Sequence, residues 1–362
     1  PLDDDNPPPG PGYDLGDREL PDEELDRRRM SLGHLVDVIS LNYRYQEYED
    51  DCKDFPDKTF IGTEIMGFES WENWEAVQKS PQILGDFIWT AIDNLGEAGA
   101  GRIEWSEKAL SATLMGKFPW MSCFQGDLDL PGLRLPRSYY RNIMWGLDKG
   151  IHIFTTAPKH AGHPFYGMGW HWGDVKRTWT FPEKYLDMDA EVEAYADCDE
   201  VAFLLNGCEI GRVKPERMIA RCMVPYRPGT IKAIAYRSGE AVAEDSIRTA
   251  GPAARIQLCA DRNVIAADGM DLSYITATIV DEDGTPVITN DYELSAHISG
   301  DAEIAGMGSG NPCTDEPFGT DRRYVFNGSA MICVRAGQMP DHLTLTVVAR
   351  GLPAAACTIE TR

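Results

Sequence analysis

The sequence predicts a multidomain protein in which a short parallel α/β part precedes two β-sandwiches. Three observations lead to this prediction. The chain has 362 residues, a length typical of about two to four domains. Strand-like and helix-like segments alternate up to about residue 150. Beyond that point the helical pattern gives way to many short strand-like runs with regular turns, a pattern typical of sandwiches.

The α/β part follows a proline-rich, acidic segment, residues 1–30, which is predicted to be a linker or loop. Strands are predicted at Val36–Asn42, Thr59–Glu64 and Ile83–Trp89, and the last is apolar enough to be buried on both faces. Residues 70–81 carry apolar side chains at three-residue spacing, which predicts a helix. This alternation indicates parallel strands, but three strands are too few to close a barrel.

The second half of the chain is predicted from its turns. Asn206-Gly207 lies between two alternating runs and predicts a hairpin. A further apolar run ends in the turn Asp281–Gly284, and a boundary is expected near Thr249–Pro252. The predicted domains are therefore residues 31–150, 151–250 and 251–362.

Composition restricts the partners. With 34 basic and 58 acidic residues the formal net charge is −24, which argues against nucleic acid and against an anionic membrane surface. No run of about 18 apolar residues is present to span a bilayer. A neutral substrate suits this charge better than a polyanion.

The nine cysteines show no C-x-x-C spacing, and their number is odd. This disfavours both a zinc site and a disulfide framework. Free thiols in a reducing compartment are expected, which favours a cytoplasmic location. The seven histidines form no metal-binding motif, so neither a metal nor another cofactor is predicted.

Glu64 stands out because it follows a short apolar strand. A lone acid at a strand end is more commonly a solvated residue. It is alternatively a catalytic carboxylate at the carboxyl end of a barrel strand. The residues around it decide between these interpretations.

Residues 60–99, FIGTEIMGFESWENWEAVQKSPQILGDFIWTAIDNLGEAG, resemble the end of the catalytic barrel of family-2 glycoside hydrolases, the β-galactosidase-like group. FPWMSCFQGDLDLPGLRLPRSYYRNIMWG resembles the exit from that barrel. AYADCDEVAFLLNGCEIGR resembles the sandwich that follows it, and residues 253–284, with GMGSGNP after them, resemble a further C-terminal sandwich. The resemblance implies the C-terminal part of a (β/α)8 TIM barrel followed by two immunoglobulin-like β-sandwiches.

The resemblance also implies residue roles. Glu64 matches the nucleophile of the family, and Tyr43 matches the tyrosine that supports it. Asn42 matches a residue of the preceding barrel strand, Trp89 an apolar wall under the sugar, and Asp127 an acid that holds sugar hydroxyls. A retaining glycosidase works with two carboxyl groups about 5–5.5 Å apart. A carbohydrate substrate is therefore expected.

The sequence departs from the family pattern at the second carboxyl group. The acid/base glutamate of the family follows an asparagine, and no Asn-Glu dipeptide occurs in these 362 residues. The first five strand-helix units of the barrel and the domains that precede them are also not found. The acid/base residue is therefore predicted to lie in an N-terminal part of the enzyme outside this sequence, and homo-oligomers are a possible further assembly.

The function expected from these residues is a retaining β-glycosidase, foremost a β-galactosidase, that forms a glycosyl-enzyme on Glu64. A β-glucuronidase or another β-glycosidase of the family is the alternative. A non-catalytic carbohydrate-binding or assembly fragment is the alternative from another class. The aromatic run Trp170–Trp172 is predicted to be a packing seam between barrel and sandwich rather than a carbohydrate-binding patch.

Overall fold

The computed structural model describes residues 33–106, 115–167 and 169–362. The linker predicted for residues 1–30 lies outside them. Contacts divide the chain into two units. Within the described residues, unit 1 contains 33–127 and 163–173, and unit 2 contains 128–162 and 174–362. The predicted domain boundaries near residues 150 and 250 stay predictions.

The described α-helices are Tyr48–Asp54 (α1), Ser70–Lys79 (α2) and Pro136–Met144 (α3), with 3-10 turns at Gly33–Leu35, Tyr45–Glu47, Gly67–Glu69 and Glu183–Tyr185. The strands are Val38–Asn42 (β1), Thr59–Ile65 (β2), Ile83–Ile88 (β3), Ile103–Glu104 (β4), His152–Thr156 (β5), Tyr166–Gly167 (β6), Asp189–Tyr195 (β7), Glu200–Leu205 (β8), Cys208–Val213 (β9), Ile219–Pro225 (β10), Thr230–Arg237 (β11), Glu240–Arg248 (β12), Arg255–Ala260 (β13), Val264–Ile265 (β14), Leu272–Val280 (β15), Glu293–Ser299 (β16), Ala302–Gly308 (β17), Arg322–Tyr324 (β18), Ser329–Ala336 (β19), His342–Ala349 (β20) and Ala355–Thr361 (β21). Among these described helices, none is both long and apolar enough to cross a membrane.

Unit 1 is built on a parallel sheet of three strands in the order β1-β2-β3. The three strands predicted from the sequence are present, and α2 lies where the three-residue spacing predicted a helix. Helices α1 and α2 cover one face of the sheet. Their residues Tyr48, Cys52 and Val77 form one core with the strand residues Phe60 and Ile83. The predicted barrel stays a prediction.

The opposite face of this sheet is open. Ile83 pairs with Phe60 and belongs to the core, so Leu84 points away from it. Leu84 is 67% exposed and Phe87 is 60% exposed, and Val38 on β1 is also exposed. The prediction that the third strand is buried on both faces was therefore wrong for this chain. Its apolar residues do alternate between two faces, but the described residues cover only one of them.

Unit 2 contains two pairs of sheets. The first pair is β10-β7-β5 and β12-β11-β8-β9, and these sheets share a core that includes Ile153, Val192, Phe203 and Ile231. The hairpin predicted at Asn206-Gly207 joins β8 to β9. Both turn residues have positive φ, 51° and 82°, as a type I′ hairpin turn requires.

The second pair of sheets is β13-β15-β19-β17 and β14-β21-β20-β16-β18. The two sheets again enclose a single core, to which β15 contributes Ile275 and β20 contributes Leu345. The predicted turn at Asp281–Gly284 is present and is closed by a hydrogen bond from the Gly284 amide to the Asp281 carbonyl. Two sheets around one core are a sandwich arrangement.

Gly62, in the middle of β2, permits the closest approach in the core of unit 1. A methyl group at this position would collide with the Tyr48 hydroxyl oxygen and would lie 3.1 Å from the Asp86 Cβ atom. Tyr48 is buried at the centre of this core. Its hydroxyl oxygen has no hydrogen-bond partner among the described residues.

We expect Gly62→Ala to lower the free energy of unfolding by about 1–3 kcal/mol, because the core must shift to admit the methyl group. The loss should shrink in a Tyr48→Phe background, where the colliding oxygen is gone. Urea unfolding of the four proteins measures both effects. An equal loss in both backgrounds would contradict the packing described here.

Candidate active site

Glu64 and Tyr43 meet where β1 and β2 end. Asn42, the last residue of β1, pairs with Glu64 through an irregularity in the register after Leu41. The Tyr43 amide donates to the Glu64 carbonyl oxygen at 2.8 Å. Tyr43 has a positive φ of 54°, and its hydroxyl donates to Glu64 Oε2, also at 2.8 Å. The side chains are thus joined at one edge of the sheet.

The Tyr43 hydroxyl also accepts a hydrogen bond, from the indole N–H of Trp170 at 2.7 Å. Burial raises the pKa of Tyr43 above its ordinary value, and the hydrogen bond to Glu64 raises it further, whereas the bond from Trp170 lowers it. The net direction is upward, so the phenol keeps its proton at neutral pH. Tyr43 is therefore a hydrogen-bond donor to the Glu64 carboxyl group.

Asn42 lies beside this pair on the open side of the sheet. Its side-chain oxygen accepts a hydrogen bond of 2.7 Å from the hydroxyl of Thr63, which also donates to the Leu41 carbonyl oxygen at 3.3 Å. Asn42 and Thr63 are both exposed. The amide nitrogen of Asn42 is thereby directed away from the hydroxyl of Thr63.

Trp89 follows β3, and its backbone amide donates to the Ile65 carbonyl oxygen at 3.1 Å. The indole N–H lies 3.2 and 3.1 Å from the two carboxylate oxygens of Glu97. Glu97 Oε2 accepts a second bond, from Gln125 Nε2 at 2.7 Å. The negative charge of Glu97 also raises the pKa of Tyr43, so its field extends to the pair of Tyr43 and Glu64.

Asp127 follows a segment that is fixed by Asp93. One carboxylate oxygen of Asp93 accepts the amides of Gln125 and Gly126 at 2.8 and 2.7 Å. Asp93 is buried, and Asp127 is half-buried. Asp127 therefore lies two residues beyond the side chain that binds Glu97.

Of the residues predicted from the sequence, Asn42, Tyr43 and Glu64 lie together, and Trp89 is bonded to the residue after Glu64. Sequence reasoning missed Gln125 and Trp170 as members of this group. A packing seam is the role that the sequence predicts for Trp170, yet its N–H bonds to the tyrosine that contacts Glu64. Trp170 lies 127 positions from Tyr43, and no short-range pattern relates the two.

The group is suited to nucleophilic or electrostatic chemistry at a carboxylate. Glu64 receives a hydrogen bond from a protonated phenol, and a second carboxylate is held nearby by two neutral donors. Within residues 33–106, 115–167 and 169–362, no group of three or more metal-ligating side chains could hold an ion. The hydrogen bonds described above thus position the Glu64 carboxylate and the Trp89 indole.

Two family models match the chain. The model described as glycoside hydrolase family 2 C-terminal domain 5 matches residues 256–358. A domain of unknown function, DUF4982, matches residues 188–243. Both matches fall on strands of unit 2.

Similarity to individual proteins covers more of the chain. The chain is 28% identical to beta-galactosidase BoGH2A of Bacteroides ovatus, over 90% of this chain and 39% of the relative. It is 33% identical, with a TM-score of 0.83, to the crystal structure of a family-2 glycosyl hydrolase from Bacteroides cellulosilyticus, over 92% of this chain and 43% of that one. The structure of a family-2 beta-glucuronidase has the same fold at 15% identity, with a TM-score of 0.67 over 90% of this chain and 33% of that one. The chain thus spans about two fifths or less of the length of these proteins.

Proposed function

The chain belongs to glycoside hydrolase family 2, and we propose that it carries the nucleophile side of the active site of a retaining β-glycosidase, a β-galactosidase. The observation that carries the proposal is the hydrogen bond between Tyr43 and Glu64 at the end of a parallel strand. Carboxyl ends of parallel strands are where barrel enzymes place their catalytic groups. The names of the relatives state which sugar those proteins act on. For this chain the choice of galactose is part of the proposal.

In the proposed reaction Glu64 attacks the anomeric carbon of the sugar. An ester forms between them while the bond to the leaving oxygen breaks, and an acid carboxyl group gives that oxygen a proton. Tyr43 occupies Glu64 Oε2, which leaves Oε1 to attack. Water, deprotonated by the same acid/base group, then releases the sugar and restores Glu64.

Three further residues are proposed to bind the sugar. Trp89 presents an aromatic face on which the CH groups of a sugar ring can rest, and Glu97 fixes its indole. Asn42 offers its amide group on the open side of the sheet. Asp127 is proposed to accept bonds from sugar hydroxyls.

The acid/base carboxyl group is proposed to come from polypeptide outside residues 1–362. Two observations support this. The chain spans about two fifths of its relatives, and the face of the sheet that carries Leu84 and Phe87 is open. A parallel sheet is normally covered on both faces, so the same additional segment would cover these apolar side chains.

Glu64→Gln should lower kcat/KM in the complete enzyme by about 10⁴-fold or more, as removal of a covalent nucleophile does. The melting temperature should change little, because Glu64 lies at a strand end and is half-buried. A 2-fluoro glycoside that traps the glycosyl-enzyme should label Glu64 only, which peptide mass spectrometry can locate.

The matched control is Glu75→Gln, the same substitution at an exposed position of α2, which should retain activity and labelling. Glycan binding without any covalent adduct would favour a non-catalytic carbohydrate-binding module. Ordinary turnover by the Glu64→Gln variant would remove Glu64 from the mechanism.

Purified residues 1–362 should hydrolyse an aryl β-galactoside poorly, and addition of the complementary upstream segment should restore activity. General acid assistance alone is worth about 10²–10⁴-fold. The same addition should protect Leu84 and Phe87, which hydroxyl-radical footprinting measures. Full activity of the 362-residue chain alone would mean that the second carboxyl group lies within it.

The charge of the site favours a neutral sugar over a uronic acid. Glu97 is held by Trp89 and Gln125, which are both uncharged. Its negative charge therefore remains, and a sugar carboxylate placed over Trp89 would be repelled by it. A β-glucuronidase is the alternative function, and it would require this repulsion to be compensated.

We expect Glu97→Gln to raise kcat/KM for an aryl β-glucuronide relative to the matching β-galactoside by about tenfold or more. The new amide oxygen can still accept from Trp89. Gln125 can turn its own side-chain oxygen, which has no partner among the described residues, to meet the new N–H groups. Glu75→Gln is again the control. An unsubstituted enzyme that already prefers the glucuronide would instead support the alternative.

A further inference from the structure

Trp170 donates a hydrogen bond to the tyrosine that contacts the proposed nucleophile. An indole N–H is a donor only, whereas a phenol both donates one hydrogen bond and accepts others. Because Trp170 donates to the Tyr43 oxygen at 2.7 Å, the single phenolic proton is left for Glu64, at 2.8 Å. The direction of the whole chain of bonds is thereby fixed.

We propose that Trp170 is a positioning residue for the nucleophile, acting through Tyr43. This inference rests on the proposed function of Glu64. A hydroxyl that accepts a hydrogen bond becomes a stronger donor, by about 10–30% per bond in condensed phases. Trp170 thus strengthens the bond from Tyr43 to Glu64, keeps one carboxylate oxygen occupied and holds the other ready to attack.

The segment that carries Trp170 is fixed to unit 1 on both sides of this residue. Before it, β6 pairs with β4 through Gly167 and Ile103. After it, the His171 ring stacks on Phe68, with centroids 4.7 Å apart and planes at 29°. Phe68 lies four positions after Glu64 in the chain, in the turn that follows β2. The indole of Trp170 is therefore anchored close to the end of β2, where Glu64 lies.

A purely packing role for Trp170 is the alternative. The rings of Tyr43 and Trp170 lie 6.0 Å apart and are tilted by 55°, so their contact alone could hold Tyr43 in place. Phenylalanine at position 170 keeps an aromatic ring but lacks the N–H donor. A packing role predicts that this substitution changes little or acts on stability, whereas the positioning role predicts a change in the pH dependence of kcat/KM.

The test uses the complete enzyme with Trp170→Phe, Tyr43→Phe and the double variant. A hydrogen bond to a carboxylate favours its charged form and lowers its pKa. Weakening that bond makes the charged form of the nucleophile less favourable, so the acidic limb of the kcat/KM profile should move to higher pH. We expect shifts of about half a pH unit for Trp170→Phe and about one unit for Tyr43→Phe. In the double variant Trp170→Phe should add nothing to Tyr43→Phe.

A second readout does not depend on turnover. With the protein labelled by 5-fluorotryptophan, the ¹⁹F signal of Trp170, assigned by its loss in Trp170→Phe, should move with pH. Tyr43→Phe or Glu64→Gln should abolish that movement. If this holds while the enzyme fails to hydrolyse glycosides, the hydrogen-bond chain stands and the proposed function falls.

Trp105→Phe is the matched control, since Trp105 lies in the same unit and packs edge-on against Phe165. It should leave the acidic limb in place. The proposal is overturned if Trp170→Phe leaves that limb unmoved. It is equally overturned if Trp170→Phe shifts the limb as strongly in the Tyr43→Phe background as in the unsubstituted enzyme, or if the Trp170 signal titrates independently of Tyr43.

Discussion

The parallel pairing of β1 with β2 is the constraint on which the candidate site depends. Parallel strands end at the same edge of a sheet, so their pairing alone makes the residues after β1 neighbours of those at the end of β2. The irregular register that pairs Asn42 with Glu64 adds a second effect. Buried positions in β2 fall at Phe60, Gly62 and then Ile65. Glu64 is thereby kept off the core face, where strict alternation from Gly62 would have placed it.

The core beneath the sheet holds this edge in place. Gly62 admits the buried Tyr48 hydroxyl immediately before the strand turns Glu64 outward. Ile65, directly after Glu64, is buried and accepts the amide of Trp89. Gly62 and Ile65 are therefore held by packing and by the strand pairing, while the Glu64 side chain between them takes the hydrogen bond from Tyr43. Rigid strands that present a few polar groups at their ends are the usual basis of barrel active sites.

The two units differ in how completely the apolar side chains of their sheets are buried. Each sandwich of unit 2 closes two sheets around a single core, so its strands need no further cover. The sheet of unit 1 has a core on one face and exposed Leu84 and Phe87 on the other. This contrast agrees with a chain that spans about two fifths of its relatives. Each sandwich encloses its own core, whereas the parallel sheet has a described core on one face only.

The sequence by itself determined the features that arise from short-range patterns. Short strand-like runs located β1 to β3, and apolar side chains at three-residue spacing located α2. The Asn206-Gly207 pair located a hairpin, since both residues tolerate positive φ. Family resemblance singled out Glu64, Tyr43, Asn42, Trp89 and Asp127. Only the tertiary structure decided that Trp170 donates a hydrogen bond to Tyr43, that Glu97 accepts one from Trp89, and that one face of β3 is exposed. Hydrogen bonds between distant side chains depend on strand register and loop paths, and burial depends on what packs opposite, neither of which a local pattern of residues contains.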